Sequence, residues 1–317
     1  MSPKPRNTWV VILAGGEGRR LSGMTTCGEG NSIPKQYRSL NGGASLVQLA
    51  VRRALAVTTQ DRIVCIVNDS HRRWWEPQLY GLRHTPVVQP ANRGTGLGVL
   101  LPLLVIAKTD ARGGVLCLPS DHYVEREDVL AESLRQATTA QVYDSGKITL
   151  LGVSSHAPDS GFGFVSPTAD SGVGVRPVHR FVEKPDEAAT AELLRSGALW
   201  SIGIFSASIA RVIEMFPEWV PDTMLDLKAI VEDWRDTRHP SAELSSLYDR
   251  HACVDFSRDV LQKRPESLQL LEIPPCGWSD VGTPARLANT LRSSKPPSAH
   301  GPARSARPSH DRLPPAI

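Results

Sequence analysis

The chain has little of several things, and each shortage narrows what it can be. Of 317 residues only five are cysteines, Cys27, Cys65, Cys117, Cys253 and Cys276. They are odd in number and show no metal-ligand pairing. Cys65 and Cys117 sit in apolar, strand-like runs and read as buried thiols, which fits a reducing cytoplasm. Long apolar runs are missing as well. The longest after the first strand, residues 99–107, has nine residues and includes Pro102, far below a membrane span. Residues 1–8 are polar, and the apolar run behind them is too short for a signal h-region. A cytoplasmic protein with no membrane partner is expected. Charge of one sign is also scarce. The net charge is +3, and residues 293–317 account for all of it, with Lys295, Arg304, Arg307 and Arg312 against Asp311. Residues 1–292 are therefore neutral, which argues against nucleic acid, whose binders need a basic face. There is no internal repeat, and in particular no hexapeptide β-helix pattern.

What is present is a hydrophobic fraction of 40%, enough for a substantial core in one large domain or two modest ones. Residues 9–14 are rich in Val and Ile and predict a buried strand. Gly15, Gly16 and Gly18 follow, beside Arg19 and Arg20. Such a turn lets backbone N–H groups approach an anion closely, and arginines add fork-shaped donors, so a phosphate-bearing ligand is the natural occupant. Residues 21–33 are rich in Gly, Ser, Thr and Asn and read as a mobile loop. A helix is predicted from near Ser45, then strands over 63–68, 86–88, 115–118 and 148–153. Helices over 71–80, 95–107 and 128–138 alternate with them. This alternation predicts a mostly parallel sheet with helices on both faces, whose ligands bind beyond the carboxyl ends of the strands. Residues 15–20, 89–95 and 119–122 all fall at such ends. Beyond residue 160 come predicted strands over 161–165, 175–182, 200–205 and 268–273. Helices are predicted over 186–196 and 207–216, with a weakly patterned helical stretch over 217–251 and a last helix after residue 282. Residues 293–317 hold six of the 25 prolines and read as a disordered tail.

Several residues could carry chemistry. The glycine turn does not fit a dinucleotide fingerprint, which needs a third glycine where Leu21 stands, nor a P-loop, which needs Gly-Lys-Ser/Thr where Arg19-Arg20-Leu21 stand. Residues 89–96, QPANRGTG, offer an amide, an arginine and a glycine turn to a nucleobase edge. The plainer alternative is a helix N-cap loop with a solvated Arg93. Asp121 at a sheet edge is a candidate oxygen ligand for a hard divalent cation, or else an N-cap. Asp280, between Gly277 and Gly282, is a turn former or a second ligand. His122 is read as structural, and Trp74, Trp75, Trp219 and Trp234 as packing residues.

Eight motifs together resemble the sugar-1-phosphate nucleotidyltransferases, most closely the mannose-1-phosphate guanylyltransferase branch, without the isomerase domain of some relatives. They are LAGGEGRRL (13–21), PKQY (34–37), QPANRGTG (89–96), LPSDH (118–122), GFGFV (161–165), FVEKP (181–185), WSIGIF (200–205) and GWSDVGT (277–283). The resemblance implies the α/β nucleotide-diphospho-sugar transferase fold, a Rossmann-like, mostly parallel mixed sheet flanked by helices with a sugar-binding lobe. The nucleotide-binding part would be about 8–155 and the sugar-binding part about 156–292. It implies GTP and a sugar 1-phosphate as substrates, Mg²⁺ as cofactor, and is compatible with a homodimer. Arg20 and Lys35 match the catalytic cations. Leu13, Ala14, Gly15, Gly16, Gly18, Gln89, Arg93, Gly94 and Thr95 match the nucleotide site. Gly163, Glu183, Lys184, Trp200 and Ser201 match the sugar-phosphate site, and Asp121 and Asp280 the metal ligands. Four departures stand out: Arg19 where the family usually has Thr, the stretch near Gly96 where it usually has Ala or Pro, Ser201 where it has Asn, and a longer loop over 22–33. The implied reaction joins GTP to a hexose 1-phosphate, with a UTP-, dTTP- or CTP-dependent transferase and a non-catalytic nucleotide-sugar sensor as the alternatives.

Overall fold

The computed structural model describes residues 8–17, 26–27, 31–81, 85–139, 145–154, 158–168, 174–216 and 221–293. The glycine turn therefore enters only through Gly15, Gly16 and Glu17. Gly18, Arg19, Arg20, most of the expected loop over 21–33 and the expected tail beyond Ser293 lie outside the described residues.

The strands in chain order are β1 Thr8–Ala14, β2 Thr26–Cys27, β3 Asn31–Ser32, β4 Ile63–Asn68, β5 Thr85–Gln89 and β6 Gly114–Pro119. β7 Ile148–Val153, β8 Gly163–Pro167, β9 Val175–Glu183, β10 Leu199–Ser208 and β11 Leu268–Glu272 complete them. The helices are α1 Leu46–Leu55, α2 Arg72–Leu79, α3 Gly94–Asp110, α4 Glu127–Ala137 and α5 Glu187–Arg195. After them come α6 Ile209–Glu214, α7 Pro221–Asp233, α8 Ala242–Arg250 and α9 Pro284–Ser293.

Nine strands form one sheet in the order β5-β4-β1-β6-β10-β7-β11-β9-β8, and β2 and β3 pair as a separate ribbon. β5, β4, β1 and β6 are mutually parallel. β10 inserts antiparallel between β6 and β7, and β9 runs antiparallel to β11 and β8. All other strands share one direction, so the sheet is mixed and mostly parallel, as the alternating elements predict. The two parts of the chain share this one sheet.

Side chains alternate across each strand, and both faces are covered. On β1, Val11 packs with Val64, Ile66 and the inner residues of α3, while Val10 and Ile12 pack on the opposite face with Val47, Val51 and Leu130. α3 lacks a polar stripe because α6, α7 and residues 256–261 wrap the side away from the sheet. α1 begins at a capping box. The Ser45 hydroxyl accepts from Gln48 N at 3.4 Å, and Gln48 Oε1 accepts from Ser45 N at 3.0 Å.

Two regions differ from expectation. The stretch over 217–251 is two helices, α7 and α8, separated by residues 234–241. Residues 256–261, which carry no helical or strand period, form a π-helical turn, Phe256–Leu261. That turn depends on glycine elsewhere. Gly94 has φ +86°, and a Cβ there would lie 2.2 Å from the Val254 carbonyl oxygen. Gly96 N donates to the same oxygen at 2.8 Å. Gly94→Ala is therefore expected to cost about 2–3 kcal/mol, read as a lowered urea midpoint. Gly98→Ala, with open space around its Cβ in the same helix, should instead raise stability by about 0.5–1 kcal/mol.

Candidate active site

A cavity of about 400 Å³ opens beyond the carboxyl ends of β1, β5 and β6, within the range of small-molecule sites. Leu13, Gly15 and Gly16 line it from β1, Gln89 from β5, Gly94 and Thr95 from the start of α3, Asp121 from the end of β6 and Ser201 from β10. The single turn Lys35–Tyr37 holds the first edge in shape. Gln36 Nε2 donates to the carbonyls of Ala14 and Gly16 at 3.1 and 2.8 Å, and the Tyr37 hydroxyl donates to Ala14 O at 3.1 Å. Gln89 Nε2 donates to Gly15 O at 3.3 Å. A Cβ on Gly15 would sit 2.3 Å from that nitrogen, so glycine is required for the close approach. Gln89 is 2% exposed, and its Oε1 is buried without a hydrogen-bond partner. A buried acceptor left open costs free energy that a ligand donor would recover.

The charged centre is built around Lys35, whose side chain is 9% exposed. Its Nζ donates to Asp121 Oδ2 at 3.0 Å and to the backbone carbonyl of Asp280. Burial alone would raise the Asp121 pKa, but the Lys35 ammonium, with His122, holds it below the usual carboxylate range. His122 accepts at Nδ1 from Trp278 Nε1 at 3.1 Å. An indole N–H only donates, so the ring proton of His122 sits on Nε2, facing Asp121 Oδ1 at 3.8 Å. Asp280 is met at both carboxylate oxygens by Arg286 Nη1, at 2.9 and 2.8 Å. Among the described residues no group of three His, Cys, Asp or Glu side chains is placed to hold a metal ion. Asp121 and Asp280 still fit one as oxygen donors. Mg²⁺ commonly takes one or two carboxylates and completes its shell with water and substrate phosphates.

Sequence-expected residues of the second part meet at one level of the sheet. Gly163 pairs with Glu183 on β9 and with Ser201 on β10. A Cβ on Gly163 would lie 2.6 Å from Glu183 Oε2, so the glycine makes room for that carboxylate. Lys184 Nζ contacts Glu183 Oε1 at 2.8 Å. Lys184 and Val281 have φ of +48° and +47°, a strained backbone for side chains with a Cβ and most of all for β-branched Val281.

The structure does not bring every expected residue to the cavity: Lys35, Gly163, Glu183, Lys184 and Asp280 do not line it, Lys35 meeting it through Asp121 and Gly163 through Ser201. Arg93 turns away, its Nε donating to Tyr248 O and its Nη2 lying 3.9 Å from Asp249. The Thr95 hydroxyl accepts from Phe256 N at 2.8 Å, so it anchors the π-helical turn while lining the cavity. Trp200 and Ser201 are neighbours on a strand and face opposite sides. Ser201 lines the cavity, whereas Trp200 lines a separate pocket of about 310 Å³ with Phe162, Trp278 and Arg286. Two groups escaped the sequence reading. Asp255, Phe256, Ser257 and Leu261 line the cavity from a segment with no regular period, and Arg286 reaches Asp280 from the first turn of α9. Arg286 carried one signal, an arginine six residues after a candidate ligand at a helix start.

Comparison with known proteins agrees with this geometry. A family model described as nucleotidyl transferase matches residues 9–294. The alginate biosynthesis protein AlgA of Pseudomonas syringae pv. tomato is 30% identical over 282 residues, covering 86% of this chain and 56% of that protein. A mannose-1-phosphate guanylyltransferase of Escherichia coli is 28% identical over 284 residues, covering 86% and 58%. The chain thus spans a little over half the length of these curated relatives. A crystal structure of mannose-1-phosphate geranyltransferase from Thermus thermophilus superposes with a TM-score of 0.76 at 25% identity, covering 92% of this chain and 80% of that one. The α/β nucleotide-sugar transferase fold expected from the motifs is the fold observed.

One titration follows from the centre. Burial pushes the His122 imidazole from 6.5 down to about 4, against the pull of Asp121 and with the push of Lys35. Between those values the unfolded chain binds a proton that the folded ring refuses. His122 therefore takes stability away as pH falls through that window, and its effect levels off below it. In NMR the His122 ring resonances should titrate near pH 4. A midpoint near 6.5 would show an ordinary exposed imidazole instead.

Proposed function

The chain belongs to the nucleotidyl transferase family, and on that premise we propose that it transfers a guanylyl group from GTP to mannose 1-phosphate, releasing pyrophosphate. The observation that carries the reading is the Lys35 ammonium, which joins Asp121 of the cavity lining to the backbone of Asp280. One side of that centre is the glycine turn and Gln89, the nucleotide side. The other is Ser201, Gly163, Glu183 and Lys184, the sugar-phosphate side. The open acceptor of Gln89 suits a base that presents N–H donors, as guanine does. The sugar is that of the mannose-1-phosphate guanylyltransferases among the relatives.

The chemistry needs no side-chain nucleophile. An oxygen of the sugar phosphate attacks the α-phosphorus of the nucleotide in line, a new P–O bond forms, and the bond to the β-phosphate oxygen breaks. Catalysis is then alignment and charge neutralisation. Lys184 would hold the sugar phosphate, while the backbone of Gly15 and Gly16 would face the nucleotide phosphates. Lys35 would stabilise charge on the departing pyrophosphate. Asp121 and Asp280 would hold Mg²⁺, which when bound supplies positive charge to the phosphate oxygens. Arg20 is assigned the second catalytic cation on its motif.

The test is pyrophosphate release across GTP, UTP, dTTP, CTP and ATP, each with a panel of sugar 1-phosphates, with and without Mg²⁺. Release with GTP and mannose 1-phosphate is expected. Release confined to UTP or dTTP would remove the guanylyl assignment, and none with any pair would make the protein a sensor. Lys35→Ala and Arg20→Ala are each expected to lower turnover about 10²- to 10³-fold while leaving the fold intact by circular dichroism.

A further inference from the structure

Arg286 has a placement that the family chemistry does not call for. Its Nη1 donates to both oxygens of Asp280 at 2.9 and 2.8 Å, and its Nε and Nη2 donate to Asp159 Oδ2 at 3.1 and 2.5 Å. The guanidinium lies over the Phe162 ring, 4.0 Å from its centroid, and the side chain is 18% exposed. Two glycines clear the space. A Cβ on Gly161 would lie 2.7 Å from Arg286 Nη2, and one on Gly282 would lie 2.4 Å from Asp280 Oδ2. Each end of the fork is therefore built into the backbone and is not a chance surface pair.

We propose that Arg286 is a positioning residue that occupies Asp280 as an internal counter-cation, keeping a divalent cation off that carboxylate until substrate phosphates arrive. This rests on the reading of Asp121 and Asp280 as the metal-holding pair. Among the described residues of this centre in the free protein, three carboxylates (Asp121, Asp159 and Asp280) face two fixed cations, Lys35 and Arg286. One uncompensated negative charge is a poor match for a doubly charged ion. A nucleotide triphosphate brings several more, together with the phosphate oxygens that Mg²⁺ prefers. Arg286 thus makes cation binding depend on nucleotide binding. It also fixes Asp280 to the turn at Asp159, whose Oδ1 accepts from Gly161 N at 2.9 Å just before β8 on the sugar-phosphate side.

The test measures Mn²⁺ binding to the free protein, without nucleotide, from the electron paramagnetic resonance signal of unbound Mn²⁺. Arg286→Met and Arg286→Gln are expected to bind Mn²⁺ about ten- to hundredfold more tightly than the wild type, since a fixed like charge has been removed. Arg286→Lys, which keeps the charge, should stay close to the wild type. Adding Asp280→Asn to Arg286→Gln should abolish the gain. Arg286→Gln keeps a polar amide near the position of Nε, which faces Asp159, and thermal melts check that each variant is folded. If Arg286→Gln and Arg286→Met bind no more tightly while Asp280→Asn weakens binding, the role of Arg286 is overturned and the metal pair stands. If Asp280→Asn changes nothing in either background, the metal assignment fails and the counter-cation with it.

Discussion

One buried ammonium holds this site together. Lys35 comes from a single turn near the start of the chain, yet its Nζ reaches the side chain of Asp121 and the carbonyl of Asp280, 245 residues away in sequence. A buried ion pair is weak evidence for stability, because desolvation costs about as much as the pair returns. The position makes more sense as chemistry. A cation held by a carboxylate and a carbonyl beside a cavity is already desolvated and aimed, which is the arrangement the proposed role in stabilising developing negative charge requires. The rest of the structure serves to bring those groups to one point. β1 and β6 are adjacent and parallel, which places the glycine turn beside Asp121. The Ser120 hydroxyl ties the two strand ends by donating to Leu13 O at 2.7 Å.

Around that ammonium the contacts close into a ring. Asp121 faces His122, His122 accepts from Trp278, Trp278 lies 5.4 Å from Phe162, and Phe162 carries Arg286 on its face. Arg286 returns to Asp280, whose carbonyl meets Lys35. The ring also explains why His122 stays neutral. Its Nδ1 is committed to an indole donor, and Lys35 discourages a second positive charge nearby. Behind it, Arg53 donates to the His122 carbonyl at 3.0 Å and grips Glu127 with Nε and Nη2. That fixes the backbone carrying Asp121 and His122 against α1 and α4. The strain at Val281 lies within the same ring, beside Asp280, where surrounding contacts can hold an unfavourable φ in place.

Much of this was legible in the sequence, for definite reasons. A short apolar run ending in Gly15-Gly16, and strands ending at Gln89 and at Asp121, reveal a shared sheet edge because parallel strands put their carboxyl ends together. Gly163 and Glu183 belong together because the strands carrying them are successive. Other features were hidden. The pairing of Arg286 with Asp159 spans 127 residues, and no local pattern encodes it. The turn Phe256–Leu261 has neither period, so it looked like connecting chain. Trp200 is a different case: the period of two already says that neighbours on a strand face opposite ways, and grouping it with Ser201 set that rule aside for the motif.

The overlooked turn links the start of α3 to the end of β9. Its N-terminal side is fixed to α3. Val254 packs against Gly94 and Gly96, and Phe256 N donates to the Thr95 hydroxyl. Its C-terminal side is fixed to the end of β9, where Gln262 Oε1 accepts from Glu183 N at 2.7 Å, next to Lys184 and its strained φ. Phe256 itself stacks between Phe205 of β10 and Phe216, so the segment is clamped along its length. The start of α3 and Glu183 are thus joined by one short, densely packed piece of backbone. The glycines of the QPANRGTG motif then have two structural tasks, shaping the cavity lining at Gly94 and seating the segment that reaches Glu183.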